Sequence, residues 1–279
     1  MKIVENVAVA FETCANLARP IGLVPTMGYL HEGHLELIRQ AVKENSSVVV
    51  SIFVNPTQFG PGEDLVVYPR DLCKDLNLLK KENVDVVFVP TVEEIYPKGY
   101  DTWVHVEQLE GMLEGKHRPS HFKGVSTVVT KLFNIARPNT AYFGQKDYQQ
   151  VILIKQMVVN LNQAIDIVMV PTLREPDGLA VSSRNILMSK EERDAASIVY
   201  RALSTGLKLW ENGENRVNIL ISKMLNVLSQ EPLVISVDYL TIVDSTTMQD
   251  LDLATRNGIV LIAVYVGNTR IVDNILLGS

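Results

Sequence analysis

Two imidazoles three residues apart, His31 and His34, lie in the segment Val24-Pro25-Thr26-Met27-Gly28-Tyr29-Leu30-His31-Glu32-Gly33-His34. The segment runs from an apolar, β-branched stretch into an amphipathic helical pattern, so the histidines fall at a strand-to-helix junction. There, free backbone N–H groups and the positive end of the helix dipole point at whatever binds. Two side chains that donate protons or hydrogen bonds near neutral pH then suit the junction to a polyphosphate. A zinc site of the metalloprotease kind needs histidines at i, i+4 on a continuous helix. Here the spacing is i, i+3 with Gly33 inserted, and few other candidate ligands are near.

Four further stretches carry groups suited to such a site. Gly144-Gln145-Lys146-Asp147-Tyr148-Gln149-Gln150 follows the short apolar run Ala141–Phe143. Lys146 supplies a mobile point charge for phosphate oxygens, and Gln150 gives and accepts hydrogen bonds without adding charge. Val181-Ser182-Ser183-Arg184-Asn185 puts two hydroxyls and a guanidinium in succession, a phosphate clasp, although a helix capped by Ser183 or Asn185 reads alike. The preceding Asp177-Gly178 marks a turn and a candidate hinge. Asn55-Pro56-Thr57-Gln58-Phe59-Gly60 forms a turn bearing Gln58. A basic stretch, Leu113 to Val125, holds Arg118 and two histidines, His117 and His121, which read as surface loop residues.

The elements that position these groups follow from apolar periodicity. Strands are expected at Ile21–Val24, Ser47–Val54, Val84–Val89 and Ile165–Val170, several without polar alternation, as for strands buried on both faces. Helical stripes run through Leu35, Ile38, Ala41 and Val42, through Leu72, Leu76 and Leu79, and over Val125–Ile135 and Gln149–Leu161. Alternating β and α predicts a Rossmann-like parallel sheet with helices on both faces and ligands beyond the carboxyl ends of its strands. The histidine segment and the Asn55 turn both follow strands, so they should share one sheet edge. After about residue 176 a helical stretch, Lys190–Gln230, breaks near Asn212-Gly213. Strands then follow at Ser236–Val243, Ile259–Val266 and Arg270–Leu276. The expected organisation is therefore α/β: a domain at 1–176 and a smaller α+β lid domain at 177–279.

Apolar residues make up 47% of the chain and charged ones 21%, which excludes a disordered polypeptide. A net charge of −6 argues against a broad nucleic-acid face. The two cysteines, Cys14 and Cys73, lie too far apart for a C-x-x-C motif, which fits a reducing cytoplasm. No signal peptide is read at the N-terminus, and the longest apolar run, Ile259–Val266, is too short to span a membrane. Neither G-x-G-x-x-G nor a P-loop is present, so dinucleotide redox chemistry and Walker-type hydrolysis lose their usual support.

The H-x-G-H pattern resembles the signature of the nucleotidylyltransferase superfamily. The ordered set of Pro25-to-Gly28, His31-to-His34, the Asn55-to-Phe59 turn, Arg118-Pro119, His121-Phe122, Gly144-to-Gln150, Ser182-to-Asn185 and Arg270-to-Asn274 resembles the pantoate–β-alanine ligase family. The resemblance implies an AMP-forming ligase in which ATP activates pantoate as an acyl-adenylate that β-alanine then captures. It implies catalytic roles for His34, His31, Lys146, Ser182, Ser183 and Arg184. The ATP contacts it implies are Met27, Gly28, Tyr29, Leu30, His31, Glu32, Gly33 and His34, then Gly144, Gln145, Lys146 and Asp147, then Leu173, Val181, Ser182, Ser183 and Arg184. Gln58 and Gln150 would bind pantoate, Mg²⁺ would accompany ATP, and the chain would form a cytoplasmic homodimer without nucleic-acid or membrane partners. Three positions depart from the family's pattern: Ser120 in place of a common Gly, Tyr29 in place of a small residue, and Val181 in place of Met or Leu. The rival readings are a nucleotidylyltransferase that stops after transfer to a phosphate acceptor, and a non-catalytic nucleotide- or RNA-binding module.

Overall fold

The computed structural model describes residues 1–278. It contains two compact units, one of residues 1–145 and 149–171, the other of residues 146–148 and 172 onward.

The first unit is built on six parallel strands: β1 (Lys2–Val4), β2 (Ile21–Thr26), β3 (Ser47–Ile52), β4 (Val86–Phe88), β5 (Thr140–Gly144) and β6 (Asp166–Val170). Their order in the sheet is β1-β4-β3-β2-β5-β6. All of β3 is buried, and so is β2 apart from Pro25. Burial on both faces is why these runs are β-branched without polar alternation. The helices are α1 (Val7–Ala15), α2 (Glu32–Glu44), α3 (Leu72–Lys81), the short α4 (Val92–Ile95), α5 (Glu107–Glu110) and α6 (Leu113–His117), then α7 (His121–Ala136) and α8 (Tyr148–Asn160). Val24, Val48, Val50, Val87 and Tyr142 of the strands pack with Leu35, Ile38 and Ala41 of α2 and Leu79 of α3. Side chains alternate across a strand, so Leu23 and Val49 point to the other face. Helix α7 packs on β2 with a separate buried set that includes Phe122, Val125, Val129 and Phe133.

Strand β2 pairs with β3 from Ile21↔Ser47 to Thr26↔Ile52, and with β5 at Gly22↔Thr140 and Leu23↔Ala141. The chain moves outward from β2 through β3 to β4, then returns to β2's other side as β5. That reversal is a topological switch point, where open α/β sheets bind ligands outside the strands' carboxyl ends. The turns leaving β2, β3 and β5 all lie on that edge.

The second unit contains α9 (Lys190–Ala196), α10 (Ile198–Glu211), α11 (Val217–Leu228) and an antiparallel sheet of β7 (Val234–Asp244), β8 (Gly258–Val266) and β9 (Thr269–Leu276). Its core joins Val199, Ala202 and Leu203 of α10 and Leu220 and Met224 of α11 to Ile242, Val260, Ile262 and Val264 of the sheet. The helical stretch breaks twice, at Ser197 and again between Glu211 and Val217, rather than once. The division between units falls at Pro171/Thr172, a few residues ahead of the expected 176/177. The segment after Pro171 pairs with itself, Arg174 bridging Ala180, and Arg174 is tied to Asp273 of β9. Among the described residues no helix is long and apolar enough to cross a membrane.

Candidate active site

In the first unit the site grows from the carboxyl end of β2. Thr26 Oγ1 donates to Ser51 O at 2.7 Å and accepts from Gly28 N at 3.2 Å, so the strand ends in a fixed turn. Gly28 (φ 79°) and Tyr29 (φ 52°) are both left-handed, a conformation that costs a tyrosine about 1–3 kcal/mol. Asp75 on α3 offsets that cost: its two carboxylate oxygens accept from Tyr29 N and Leu30 N, each at 2.7 Å. Asp75 is 1% exposed, and burial pushes its carboxyl above the usual range while the two amides pull the other way.

His31 then caps α2 in an extended conformation, and its ring lies tilted by 31° against that of His34 with centroids 4.0 Å apart. A Cβ on Gly33 would come within 3.1 Å of the His31 ring, so the glycine of the H-x-G-H pattern makes room for that imidazole. His34 Nδ1 accepts from His31 N at 3.4 Å, which puts the proton of the neutral ring on Nε2. Glu32 directs its carboxylate to Arg39, as do Glu36 and Glu82. What Glu32 offers a ligand is therefore its backbone at the positive end of α2.

The turn after β3 carries Gln58, which is 8% exposed. Asn55 organises it. Its Oδ1 accepts from Thr57 N and Oγ1, and its Nδ2 donates to Gln58 Oε1 at 3.2 Å and Gly124 O at 3.1 Å. Gln58 Nε2 in turn lies 3.0 Å from Met27 Sδ, which places it against the loop that bears the histidines. Gln58 O accepts from Arg118 Nη2 (3.3 Å) and meets His121 Nδ1 (3.0 Å). His121 is thus buried at the start of α7, not in a surface loop as expected, because its ring is needed to satisfy that carbonyl. His117 is exposed. Arg118 also pairs with Glu63 and Glu114. Ser120 is right-handed (φ −91°), so serine is no burden where the family often has glycine.

Strand β5 ends at Gly144 and is followed by Gln145. On α8, Gln149 and Gln150 part company. Gln149 is buried and braces Leu109, Met112 and Glu114 through their backbones. Gln150 is half-buried, and its carboxamide makes no hydrogen bond to the described residues.

The remaining candidates belong to the second unit. Asn274 Nδ2 donates to Lys146 O at 3.0 Å, and Lys146 Nζ stands 3.5 Å from Asp147 Oδ1. Val181 N donates to Leu173 O at 3.0 Å, closing the hairpin whose tip is Asp177-Gly178. That tip is anchored: Asp177 pairs with Arg193 at 2.6 Å, and Gly178 (φ 92°) is pressed against Tyr200. Ser182, not Ser183 or Asn185, caps the following turn, accepting from Arg184 N at 3.3 Å. Its O–H is still able to donate. Arg174 grips Asp273 through both nitrogens, at 2.7 and 2.9 Å, and stacks on Tyr200.

The matching model over residues 2–276 is that of pantoate-beta-alanine ligase. The chain belongs to this family. It is 49% identical to the pantothenate synthetase of Pseudothermotoga lettingae, with all of both chains covered. It is 52% identical to that of a Thermoanaerobacter species, over 94% of this chain and 92% of the relative. The crystal structure of pantothenate synthetase from Thermus thermophilus superposes with a TM-score of 0.96 at 43% identity, with both chains fully covered. A pantoate-beta-alanine ligase from Francisella tularensis, complexed with beta-gamma ATP and beta-alanine, superposes at 0.82 and 36% identity, covering 100% of this chain and 98% of that one.

Within this ligase fold the first unit gathers Met27 to His34 and Gln58 in one contact network. Asp75, His121 and Asn55 support that network; Asp75 was not singled out from sequence, while Asn55 and His121 lay in recognised stretches without a supporting role assigned to them. Asp75 had a signal: it stands at a helix position that the Leu72, Leu76 and Leu79 stripe would fill with an apolar residue. Asp273 and Asn274 sat in a recognised tail motif, but their partners Arg174 and Lys146 are about a hundred residues or more distant.

Proposed function

We propose that this chain joins pantoate to β-alanine with ATP, as an AMP-forming ligase working in the cytoplasm as a homodimer, without nucleic-acid or membrane partners. A pantoate carboxylate oxygen attacks the α-phosphorus of ATP. The bond from that phosphorus to the bridging oxygen breaks, and pyrophosphate leaves. The β-alanine nitrogen then attacks the acyl carbon, the acyl–phosphate oxygen bond breaks, AMP departs, and the amine gives up a proton.

The first step brings a carboxylate against a polyanion. At ~4 Å and an effective dielectric of about 20, each pair of like unit charges costs ~4 kcal/mol. His34 donates from Nε2 to the leaving phosphates, and His31 shares them. Lys146, Ser182, Ser183 and Arg184 hold the triphosphate, and the backbone of Met27 to Gly33, Gly144, Gln145, Asp147, Leu173 and Val181 contacts the nucleotide. Gln58 and Gln150 bind pantoate. Neutral carboxamides satisfy its hydroxyls and carboxylate without competing for the phosphates.

Among the described residues no three His, Cys, Asp or Glu side chains gather as a metal cage. That fits an ion held chiefly by phosphate oxygens, the usual habit of Mg²⁺ with nucleotides. When bound, it neutralises phosphate charge.

The observation that carries the reading is Gln58, an uncharged carboxamide seated against the loop that bears both histidines. The test is ATP–pyrophosphate exchange. Exchange should require pantoate, and AMP should be released only when β-alanine is added. AMP transfer to a phosphate acceptor instead would establish the nucleotidylyltransferase reading. His34→Ala should slow exchange by about 10²–10⁴ with an unchanged melting curve; exchange at the parent rate would overturn the role given to His34. Sedimentation of the pure protein tests the homodimer.

A further inference from the structure

Tyr96 lies just beyond α4, outside every motif, yet its hydroxyl reaches the pantoate turn. It donates to Asn55 Oδ1 at 2.9 Å and stands 3.1 Å from Thr57 Oγ1. The Tyr96 ring is held by Tyr100, Trp103 and Phe53, with Lys131 over it. The hydroxyl is therefore delivered from a packed base. Burial raises its pKa to about 12, so it remains a donor.

The consequence follows along the amides. Asn55 is 1% exposed, and its hydrogen-bonding capacity is used in full. Oδ1 takes Thr57 N, Thr57 Oγ1 and Tyr96 Oη, while both Nδ2 hydrogens go to Gly124 O and Gln58 Oε1. Turning the Asn55 amide over would set its oxygen against two carbonyl oxygens and its NH₂ against the Thr57 N–H. Its orientation is thereby decided, and it decides the next amide: Gln58 must turn its oxygen toward Asn55 and its NH₂ away. One Gln58 N–H meets Met27 Sδ, and the other is left to a ligand.

We infer that Tyr96 is a positioning residue for the acid substrate: through Asn55 it locks the Gln58 carboxamide so that an N–H donor, not a carbonyl, faces pantoate. The inference rests on the assignment of Gln58 to pantoate. A donor there selects an oxygen-rich, acceptor-bearing acid and disfavours a ligand that would offer an N–H to the same place.

The test compares Tyr96→Phe, Gln58→Ala and the double variant, with the KM of each substrate, kcat and a thermal melt for every protein. Tyr96→Phe keeps the ring packing and removes only the hydroxyl. It should raise the pantoate KM about tenfold, while kcat and the KM for ATP and β-alanine change less than about twofold. In a Gln58→Ala background the same change should add nothing, since the group it orients is gone. A Tyr96→Phe enzyme with the parent's pantoate KM beside a weakened Gln58→Ala enzyme overturns the inference and leaves the assignment of Gln58 intact. So does an undiminished Tyr96→Phe effect in the double variant, or a parallel loss for all three substrates with a lowered melt. If Gln58→Ala itself binds pantoate normally, the assignment of Gln58 fails and the inference falls with it.

Discussion

At the scale of single residues, the turn that bears Gln58 is held by a pair of opposite charges. Arg118 holds the Gln58 carbonyl and is itself held by Glu63 at 2.5 Å. Burial raises the Glu63 carboxyl, but the hydrogen bonds and charge of Arg118 outweigh it and leave Glu63 below its usual value of 4.5. A carboxyl lowered by folding stabilises the fold above its unfolded pKa, and that contribution is lost as pH falls through the folded value. The parent should therefore be more stable than Glu63→Gln near neutral pH. The gap should close on acidification from about pH 4.5 downward, read from urea melts across pH. A gap that widens in acid would contradict the pairing. Residues of this kind were the least legible in the sequence. Histidines, lysine and hydroxyls announce phosphate chemistry by type and spacing. Asp75, Tyr96 and His121 act on backbone or amide groups 41 to 63 residues away, a separation no local pattern records.

Elements were easier to read, because apolar periodicity is local. The expected strands at Ile21, Ser47, Val84 and Ile165 all exist, with ends shifted by a few residues, and the short apolar run Ala141–Phe143 lies within β5. The N-terminal strand β1 was not anticipated. With only three residues it has no periodicity to show, and it is defined by pairing with β4 from Lys2↔Val86 to Val4↔Phe88. The short helices α4, α5 and α6 escaped for the same reason. The close approach of α7 to the turn that bears Gln58 was equally hidden, although its cause is one glycine. A Cβ at Gly124 would stand 2.5 Å from Thr57 O and 2.6 Å from Gln58 N, both rigid backbone atoms. Gly124→Ala should force helix and turn apart, costing about 1–3 kcal/mol of stability. It should also raise the pantoate KM more than that for ATP. A variant with the parent's melt and kinetics would show that the helix has slack to give.

At the scale of the whole molecule, the second unit is closed by its last strand. Asp273, 1% exposed, is the bidentate partner of Arg174 at the base of the hairpin that leads to Val181 and the serine pair. Asp273→Ala leaves a largely buried guanidinium without its carboxylate, a change worth about 3 kcal/mol or more. The variant should unfold at lower urea and lose affinity for ATP more than for pantoate. Equal losses for both substrates would argue that the hairpin serves only the fold. Strand β9 also carries Asn274, whose amide donates to the Lys146 carbonyl. On the ribosome, the amide that fastens the Lys146 backbone is added 128 residues after the lysine itself. A nascent chain that has not yet reached Asn274, although its parallel strands are already made, carries this lysine without that bond.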